Sequence, residues 1–356
     1  MKKIILLSLT FLCIQYMNAQ DTLNFRVSGL ADVYYGKQFN SENERPDFLY
    51  NHHRVNEVAL NLGIIKFSVD NQRVRSNLAL MAGTYAEKNL AAEPSIFQNI
   101  YEANVGVALN KASNLWLDAG IFASHIGFES AISGDNMTMT RSLVAENTPY
   151  YLSGAKLTYS PNSKLNLGFT VCNGWQRIRK DKEKLDNSPA IGTQVSYVFN
   201  EKISANWSTY WGFDEKEKKN VKRFYNNFYS NITVNDRLKL IVGFDIGQEK
   251  EKYKSDNQYE SNFWYAPVMI TQYAWSPKFR TALRLEHLND DESIITNEGS
   301  LIGFSLNFDY EPYPKALIRL EYRNLSSLVA KSGAADIEKS NLVQIGLFYQ
   351  LKKDFR

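Results

Sequence analysis

Apolar and polar residues alternate along most of the chain from Asp21 onward, in stretches of about ten residues. One such stretch follows Arg54. It puts on one face Val58, Leu60, Leu62 and Ile64, and on the opposite face Glu57, Ala59, Asn61 and Gly63. A period of two is typical of β-strands, because successive side chains of a strand point to opposite faces of the sheet. The pattern therefore predicts a succession of half-buried β-strands.

The connections between these strands alternate between very short turns and long polar loops. The turns carry good turn residues, for example Asp70-Asn71 and Ser160-Pro-Asn-Ser163. Eight long loops and seven short turns predict sixteen strands, with both ends of the chain on the short-turn side. Aromatic residues occur on both faces of strands 221–233 and 259–275, which leaves fourteen and eighteen strands as alternatives.

Such a chain is typical of an all-β transmembrane antiparallel β-barrel with short periplasmic turns and long extracellular loops. A closed barrel is the sheet that satisfies every backbone amide in a bilayer. Mean hydropathy is negative, yet 21 Tyr and 6 Trp are present, which suits aromatic girdles at the membrane surfaces. A soluble secreted β-sandwich would need two or more domains, and no linker divides residues 21–356, so we predict one barrel domain.

Residues 1–20 have the pattern of a secretory signal peptide. Lys2 and Lys3 precede the apolar run 4–14, and cleavage is expected near Ala19. The expected location is the cell outer membrane. Removing two lysines reduces the formal charge from +3 to about +1, which does not favour nucleic acid as a partner.

A barrel of sixteen strands is wide enough for an aqueous channel, so its function depends on the side chains that point inward. Alternation predicts charged residues on the inner wall, most of them arginines on one sector. The predicted pore-lining residues are Arg73, Arg75, Arg280, Arg284, Arg319, Arg323, Glu57, Glu102 and Asp118. Charged walls select ions and solutes. The alternative is an ordinary polar interior in which these charges pair across neighbouring strands.

The third long loop, about residues 127–148, contains Met and small residues and is less polar than a freely solvated loop. One interpretation is that it folds into the lumen as a constriction facing the arginine sector; the other is that it packs on neighbouring extracellular loops. The candidate constriction residues are Glu129, Asp135, Arg141 and Glu146.

The sequence gives little support for catalysis. Four histidines, His52, His53, His125 and His287, lie near the long-loop ends of strands, but their spacing does not define a Ser–His pair, a carboxylate–His pair or a metal site. We therefore expect a protein that is not an enzyme and that uses no metal and no cofactor.

The segment Thr140–Tyr159, followed by Leu165–Trp175, resembles the OmpL-like β-barrel porin family of Gram-negative outer membranes. The resemblance lies in the Thr-Arg-Ser loop, in an aromatic pair before a glycine, and in an Asn-Gly-Trp strand end. It implies an outer-membrane porin without catalytic residues. The expected function is passive diffusion of small hydrophilic solutes or ions, with a mild anion preference from the predicted arginine wall.

The expected partners are outer-membrane lipids and small hydrophilic solutes, and a homo-oligomer is compatible with this class. The alternative function is a non-conducting barrel that serves as a structural or adhesion protein, or a hydrolase active at the rim.

Overall fold

The computed structural model describes residues 23–39, 45–180, 188–216, 219–253, 259–296, 299–328 and 340–355. The predicted signal peptide lies outside these residues. Within them the strands are β1 (Asn24–Phe39), β2 (Val58–Asp70), β3 (Val74–Ala82), β4 (Ile100–Ala108), β5 (Leu115–Ala123), β6 (Tyr151–Tyr159), β7 (Leu165–Cys172), β8 (Ala190–Asn200), β9 (Ile203–Lys216), β10 (Lys219–Thr233), β11 (Leu238–Tyr253), β12 (Tyr259–Ala274), β13 (Phe279–Leu288), β14 (Leu301–Tyr313), β15 (Ala316–Ser327) and β16 (Ser340–Phe355). Two short helices lie in the loops, α1 (Thr84–Asn89) and α2 (Leu143–Glu146), with 3-10 turns at Ser95–Phe97 and Ser133–Asp135.

The sixteen strands of the described chain form one closed antiparallel barrel. Each strand pairs with its neighbours in sequence, and β1 pairs with β16 from Phe25↔Phe355 to Phe39↔Asn341. Closure leaves no unpaired sheet edge, which is the requirement for a sheet in hydrocarbon. The predicted fold, a closed antiparallel barrel of sixteen strands, is confirmed. Among the described residues, no helix is long and apolar enough to cross a membrane.

The two strands with aromatics on both faces are single strands, β10 and β12. Phe224 and Phe228 of β10 face outward and are 47% and 40% exposed. Tyr225 points inward, is fully buried and stacks on Trp264 of β12, with ring centroids 5.3 Å apart. Aromatics occur on both faces because the barrel interior itself contains an apolar cluster at this position.

The strict alternation predicted for β2 is interrupted at Asn61, and the residues that follow it face the opposite side from the one predicted. Val58 and Leu60 face outward as expected, but Leu62 is fully buried and Ile64 is 8% exposed, so both point inward. The register explains the change: Asp32 pairs with Leu62 and Val33 with Leu60, which leaves Asn61 as an extra residue. A β-bulge of this kind moves every following side chain to the other face.

Two buried apolar clusters lie in the long-loop half of the interior. Phe48 and Leu49 of the first loop and Leu143 and Val144 of the third loop join one buried cluster with wall side chains of β5 to β15. A second cluster joins residues of α1 to the walls of β2 and β3. The inner loops are therefore packed parts of the molecule, which fixes the path of the third loop.

Candidate functional site: the third loop and the lumen wall

The third loop, which joins β5 to β6, crosses the barrel interior. The strands β13 to β15 lie about half the ring away from β5 and β6. The loop nevertheless bonds to them: the amide of Met139 donates to Asn307 Oδ1 at 3.0 Å, and the amide of Leu143 donates to Glu286 Oε2 at 2.6 Å. The third loop therefore folds into the barrel interior, which is the first of its two interpretations.

Three arginines of the predicted wall lie beneath this loop. Arg284 of β13 and Arg319 and Arg323 of β15 are at most 1% exposed. The salt bridges of the cluster are Arg284–Glu286 at 3.2 Å, Arg284–Glu321 at 3.3 Å, Arg319–Asp309 at 2.8 Å and Arg323–Glu286 at 2.8 Å. The carboxylates of Glu286, Glu321 and Asp309 thus neutralise the three guanidinium groups. Buried charges require such partners, because an unpaired charge away from water is very costly. These arginines face the loop and their acidic partners. They do not face the water of the lumen, which is where the sequence placed them.

The same arginines bind the backbone of the loop. Arg319 donates to the carbonyl oxygens of Ser133 at 2.5 Å, Asn136 at 3.1 Å, Met137 at 3.2 Å and Thr138 at 3.3 Å. Arg284 donates to the carbonyl oxygen of Thr140 at 2.6 Å. Irregular backbone inside a barrel needs partners for its polar groups, and the fork of five guanidinium donors supplies several from one side chain.

Glu321 is an acidic residue of the wall that also binds the third loop. Its carboxylate accepts from the Thr140 amide at 2.6 Å and from the Thr140 hydroxyl at 2.7 Å. The threonine therefore binds both an arginine and a glutamate of the wall. Thr140 opens the Thr-Arg-Ser segment that carried the family resemblance, so the structure gives that motif a physical role in anchoring the loop.

Glu129 of the loop is buried close to the arginine cluster. It accepts from the Ser142 amide at 2.9 Å and from the Ser142 hydroxyl, and its Oε1 lies 4.0 Å from Arg284 Nη1. Ser142 also caps α2, because its side chain accepts from the Ala145 amide. Burial raises the pKa of Glu129 above its ordinary value, while Arg284 and Arg141 oppose that rise.

The other constriction residues have different surroundings. Asp135 is an exposed residue at the end of a 3-10 turn, and partial desolvation of its carboxyl raises the pKa of that group. Glu146 is buried against the first loop and accepts from the amides of Tyr50 at 2.8 Å and Asn51 at 3.2 Å. Arg141 is 2% exposed, and its guanidinium stacks 3.6 Å above the ring centroid of Tyr150. Glu129 thus lies near Arg284 of the wall, whereas Glu146 binds the first loop.

The opposite part of the wall carries charges that reach solvent. Arg75 pairs with Asp118 at 2.7 Å through Nε, and Lys66 pairs with Glu102 at 2.5 Å. The side chains of Arg75 and Lys66 are 36% and 30% exposed, whereas Asp118 and Glu102 are 7% and 15% exposed. In both pairs the cation lies nearer the water than its carboxylate.

Arg280 pairs with Glu311 at 2.9 Å, and the two side chains are almost equally exposed, at 24% and 23%. Two predicted wall residues lie outside the strands. Glu57 precedes β2, is 48% exposed and pairs with Arg54 at 2.6 Å. Arg73 lies in the short turn before β3 and donates to the carbonyl oxygen of Asn110 at 2.6 Å. Both were assigned to the wall because alternation was extended past the strand ends.

Three of the histidines lie in separate surroundings. His52 is fully buried with Nε2 3.1 Å from Asp32 Oδ2, and His125 Nε2 lies 2.9 Å from the carbonyl oxygen of Thr209. The ring of His287 packs edge-on to Tyr265. The His52–Asp32 pair was not predicted, because 20 residues separate the two in sequence and only the fold of the first loop brings them together.

The sixteen closed strands and the loop that folds across the interior define a porin-type barrel. The family described as "Putative beta-barrel porin-2, OmpL-like" matches residues 24–348. The chain therefore belongs to the OmpL-like β-barrel porin family, as the sequence resemblance indicated. This membership and the barrel fold imply an outer-membrane protein whose short-turn rim is periplasmic.

Solved structures show the same fold at low sequence identity. The anion-selective porin from Comamonas acidovorans is 11% identical with a TM-score of 0.56, and the match covers 93% of this chain and 99% of that one. Salmonella typhi OmpF in complex with daunomycin is 11% identical with a TM-score of 0.55, covering 93% and 98%. The trimer form of Vibrio cholerae OmpT, described as an outer membrane protein, is 12% identical with a TM-score of 0.53, covering 94% and 100%. No curated protein sequence matches the chain significantly.

Proposed function

We propose that this protein is an outer-membrane porin for passive diffusion of small hydrophilic solutes or ions. The observation that carries the proposal is the third loop, which crosses a closed sixteen-stranded barrel and is anchored by buried ion pairs of the opposite wall. A barrel of this size has room for water, and a fixed loop inside it sets the size of the solute that passes. No step of such a transfer needs a catalytic group.

A mild anion preference is the second part of the proposal, and of the arginines that the sequence indicated it keeps Arg75 and adds Lys66. Arg284, Arg319 and Arg323 are buried and neutralised, so a passing ion experiences little of their charge. Lys66 and Arg75 are the better candidates, because their carboxylate partners are more deeply buried than they are. An ion in the lumen therefore approaches the cations more closely than the anions.

A homo-oligomer also belongs to the proposal. The trimer form named for Vibrio cholerae OmpT shows that a protein with this fold assembles in that way. For the present chain the number of copies is a prediction that chemical cross-linking in the membrane would check.

One observation favours the alternative of a non-conducting structural or adhesion barrel. The apolar cluster that includes Phe48, Leu143 and Val144 lies inside the long-loop half of the barrel, and apolar packing resists water. The hydrolase version has less support, since His52, His125 and His287 have unrelated partners.

Single-channel recording in a planar bilayer tests the proposal. The full-length mature protein should give ion-permeable steps, and the reversal potential in a salt gradient should have the sign of anion preference. Folded protein that inserts but gives no steps would favour the non-conducting barrel. Steps with clear cation preference would keep the porin and reject the role of Lys66 and Arg75.

A further inference from the structure

Each of the seven short turns carries one exposed basic residue at or next to its tip. These residues are Arg73, Lys111, Lys164, Lys202, Arg237, Lys278 and Lys315. The end of β16 adds exposed Lys352 and Lys353 on the same rim. We call these nine residues the basic collar. Its position is regular around the whole ring, although the formal charge of the chain is only +3.

The acidic residues of the same rim are fewer, and three of them bond to residues outside the collar. Asp70 accepts from Asn24, and Glu311 pairs with Arg280 at 2.9 Å and also accepts from the Lys315 amide at 2.9 Å. Asp354 pairs with Arg26 at 2.6 Å and lies 4.0 Å from Lys352 Nζ. Exposed Glu201 and Asp236 are the other acids of the described turns. The rim therefore presents an excess of positive charge to its surroundings.

Directly beside the collar, the outer face of β13 to β15 contains an apolar groove of about 640 Å³. Its rim end is formed by Trp275, Phe279, Tyr310 and Ile318, and the next row inward by Phe308 and Leu320. Phe279 and Tyr310 stack with ring centroids 4.6 Å apart, and Trp275 Nε1 donates to Thr281 Oγ1 at 3.1 Å. The aromatic end of the groove is thus held in place by contacts of its own.

Lys278 lies in the turn between Trp275 and Phe279, so it stands at the rim end of the groove. Its carbonyl oxygen accepts from the Glu311 amide at 2.8 Å, which joins this turn to the next one, where Lys315 lies. An apolar groove that ends at two basic turns matches a molecule with an acyl chain and an anionic head. Free phosphate or an acidic polysaccharide would use the collar and leave the groove empty.

We propose that the β13–β15 groove is a binding site for an anionic glycerophospholipid of the leaflet that the short-turn rim contacts. An acyl chain lies in the groove, and the phosphate lies at Lys278 with Lys315 nearby. The attraction between one basic residue and anionic lipid contributes about 1 kcal/mol, which corresponds to roughly a fivefold change in the affinity for that lipid. The proposal goes beyond the porin function and does not depend on conduction.

Native mass spectrometry of the folded full-length protein, with phosphatidylglycerol or phosphatidylethanolamine added, tests this site. The protein should retain phosphatidylglycerol in preference, and Lys278→Gln should reduce that retention roughly fivefold. Lys111→Gln is the matched control: it removes one collar charge from a turn that lies away from this groove, and it should leave the tightly bound lipid in place.

Thr281→Leu provides a second variant that changes no charge. The larger side chain occupies the groove and should release the lipid, while heat-modifiable electrophoretic mobility reports whether each barrel is folded. Equal retention of the two lipids, equal losses in Lys278→Gln and Lys111→Gln, or retention unaffected by Thr281→Leu would each overturn the site. Binding of acidic peptidoglycan fragments without lipid retention would overturn it as well. Conductance of the same variants reports on the porin function separately.

Discussion

Arg284 and Thr140 are joined across the barrel interior: Nη1 of the arginine donates to the carbonyl oxygen of the threonine at 2.6 Å, although 144 residues separate them in sequence. The hydroxyl of the same threonine binds Glu321. The guanidinium group therefore serves two purposes, because it neutralises buried carboxylates and holds the backbone of the third loop. This arrangement makes the wall and the loop one mechanical unit.

Arg284→Gln should release the third loop. The change leaves Glu286 and Glu321 with less compensation in a buried site, and removing one partner of a buried ion pair costs about 3–5 kcal/mol. We expect a lower unfolding free energy in urea and a larger single-channel conductance. Arg280→Gln is the matched control, since its half-exposed pair with Glu311 should contribute no more than about 1 kcal/mol. Equal effects of both variants would contradict the tether.

Gly134→Ala should displace the loop by steric overlap. A Cβ atom at Gly134 would lie 2.2 Å from Cε1 of Phe348, a buried ring of β16. Overpacking of this kind costs about 1–3 kcal/mol. The double variant with Phe348→Leu should recover much of the lost stability in urea unfolding.

Gly63→Ala is the control for this position, because the nearest atom to its Cβ is Leu60 Cδ2 at 3.4 Å, an ordinary contact. If Gly134→Ala is as stable as the unsubstituted protein, or if Phe348→Leu gives no recovery, the loop does not pack against β16 in the membrane.

Alternation was sufficient to predict the barrel because the lipid-facing row of each strand must be apolar along its whole length. It also identified Arg284, Arg319 and Arg323 as inward-facing. It could not distinguish a water-facing arginine from one covered by a loop. That distinction depends on contacts such as Met139 with Asn307, which are 168 residues apart and leave no local pattern.

The error in β2 has a more local cause. The bulge at Asn61 is stabilised by tertiary hydrogen bonds: Nδ2 donates to Asp32 at 3.0 Å, and Oδ1 accepts from the His52 amide at 2.8 Å. Asn61 and Gly63 are residue types that accompany bulges, but neither fixes by itself which position of β2 is the inserted one. Alternation placed Asn61 on the polar face of its strand, but its contact with Asp32 depends on the fold.

The Glu129 carboxyl should hold the third loop more tightly when it is protonated than when it is ionised. Burial raises the pKa of Glu129, so the folded protein holds the Glu129 proton more tightly than the unfolded chain does. Stability from this group is therefore fully present below the unfolded pKa and is lost as pH rises through the folded pKa. The carboxyl of Asp135, an exposed residue, also has a raised pKa and acts in the same direction.

We expect conductance to increase as the pH rises from acid to neutral, and Glu129→Gln to remove most of that dependence. Asp135→Asn is the comparison variant and should have a smaller effect, because Asp135 is less buried. A conductance that falls with rising pH, or that keeps its full dependence in Glu129→Gln, would show that another group controls the loop.

Arg75→Gln should reduce the anion preference. The guanidinium is 36% exposed while Asp118 is 7% exposed, so the substitution leaves a carboxylate as the local charge on that part of the wall. A unit charge acting over about 4 Å in water contributes about 1 kcal/mol, which sets an upper limit of roughly fivefold on the change in permeability ratio. Lys66→Gln should act in the same direction, because Glu102 is also the more buried partner.

Reversal potentials in a potassium chloride gradient measure the permeability ratio, and Arg280→Gln is the control from a pair of nearly equal exposure. If Arg280→Gln lowers the ratio as much as Arg75→Gln does, the selectivity arises from the summed charge of the barrel and not from the exposed cations of β2 and β3.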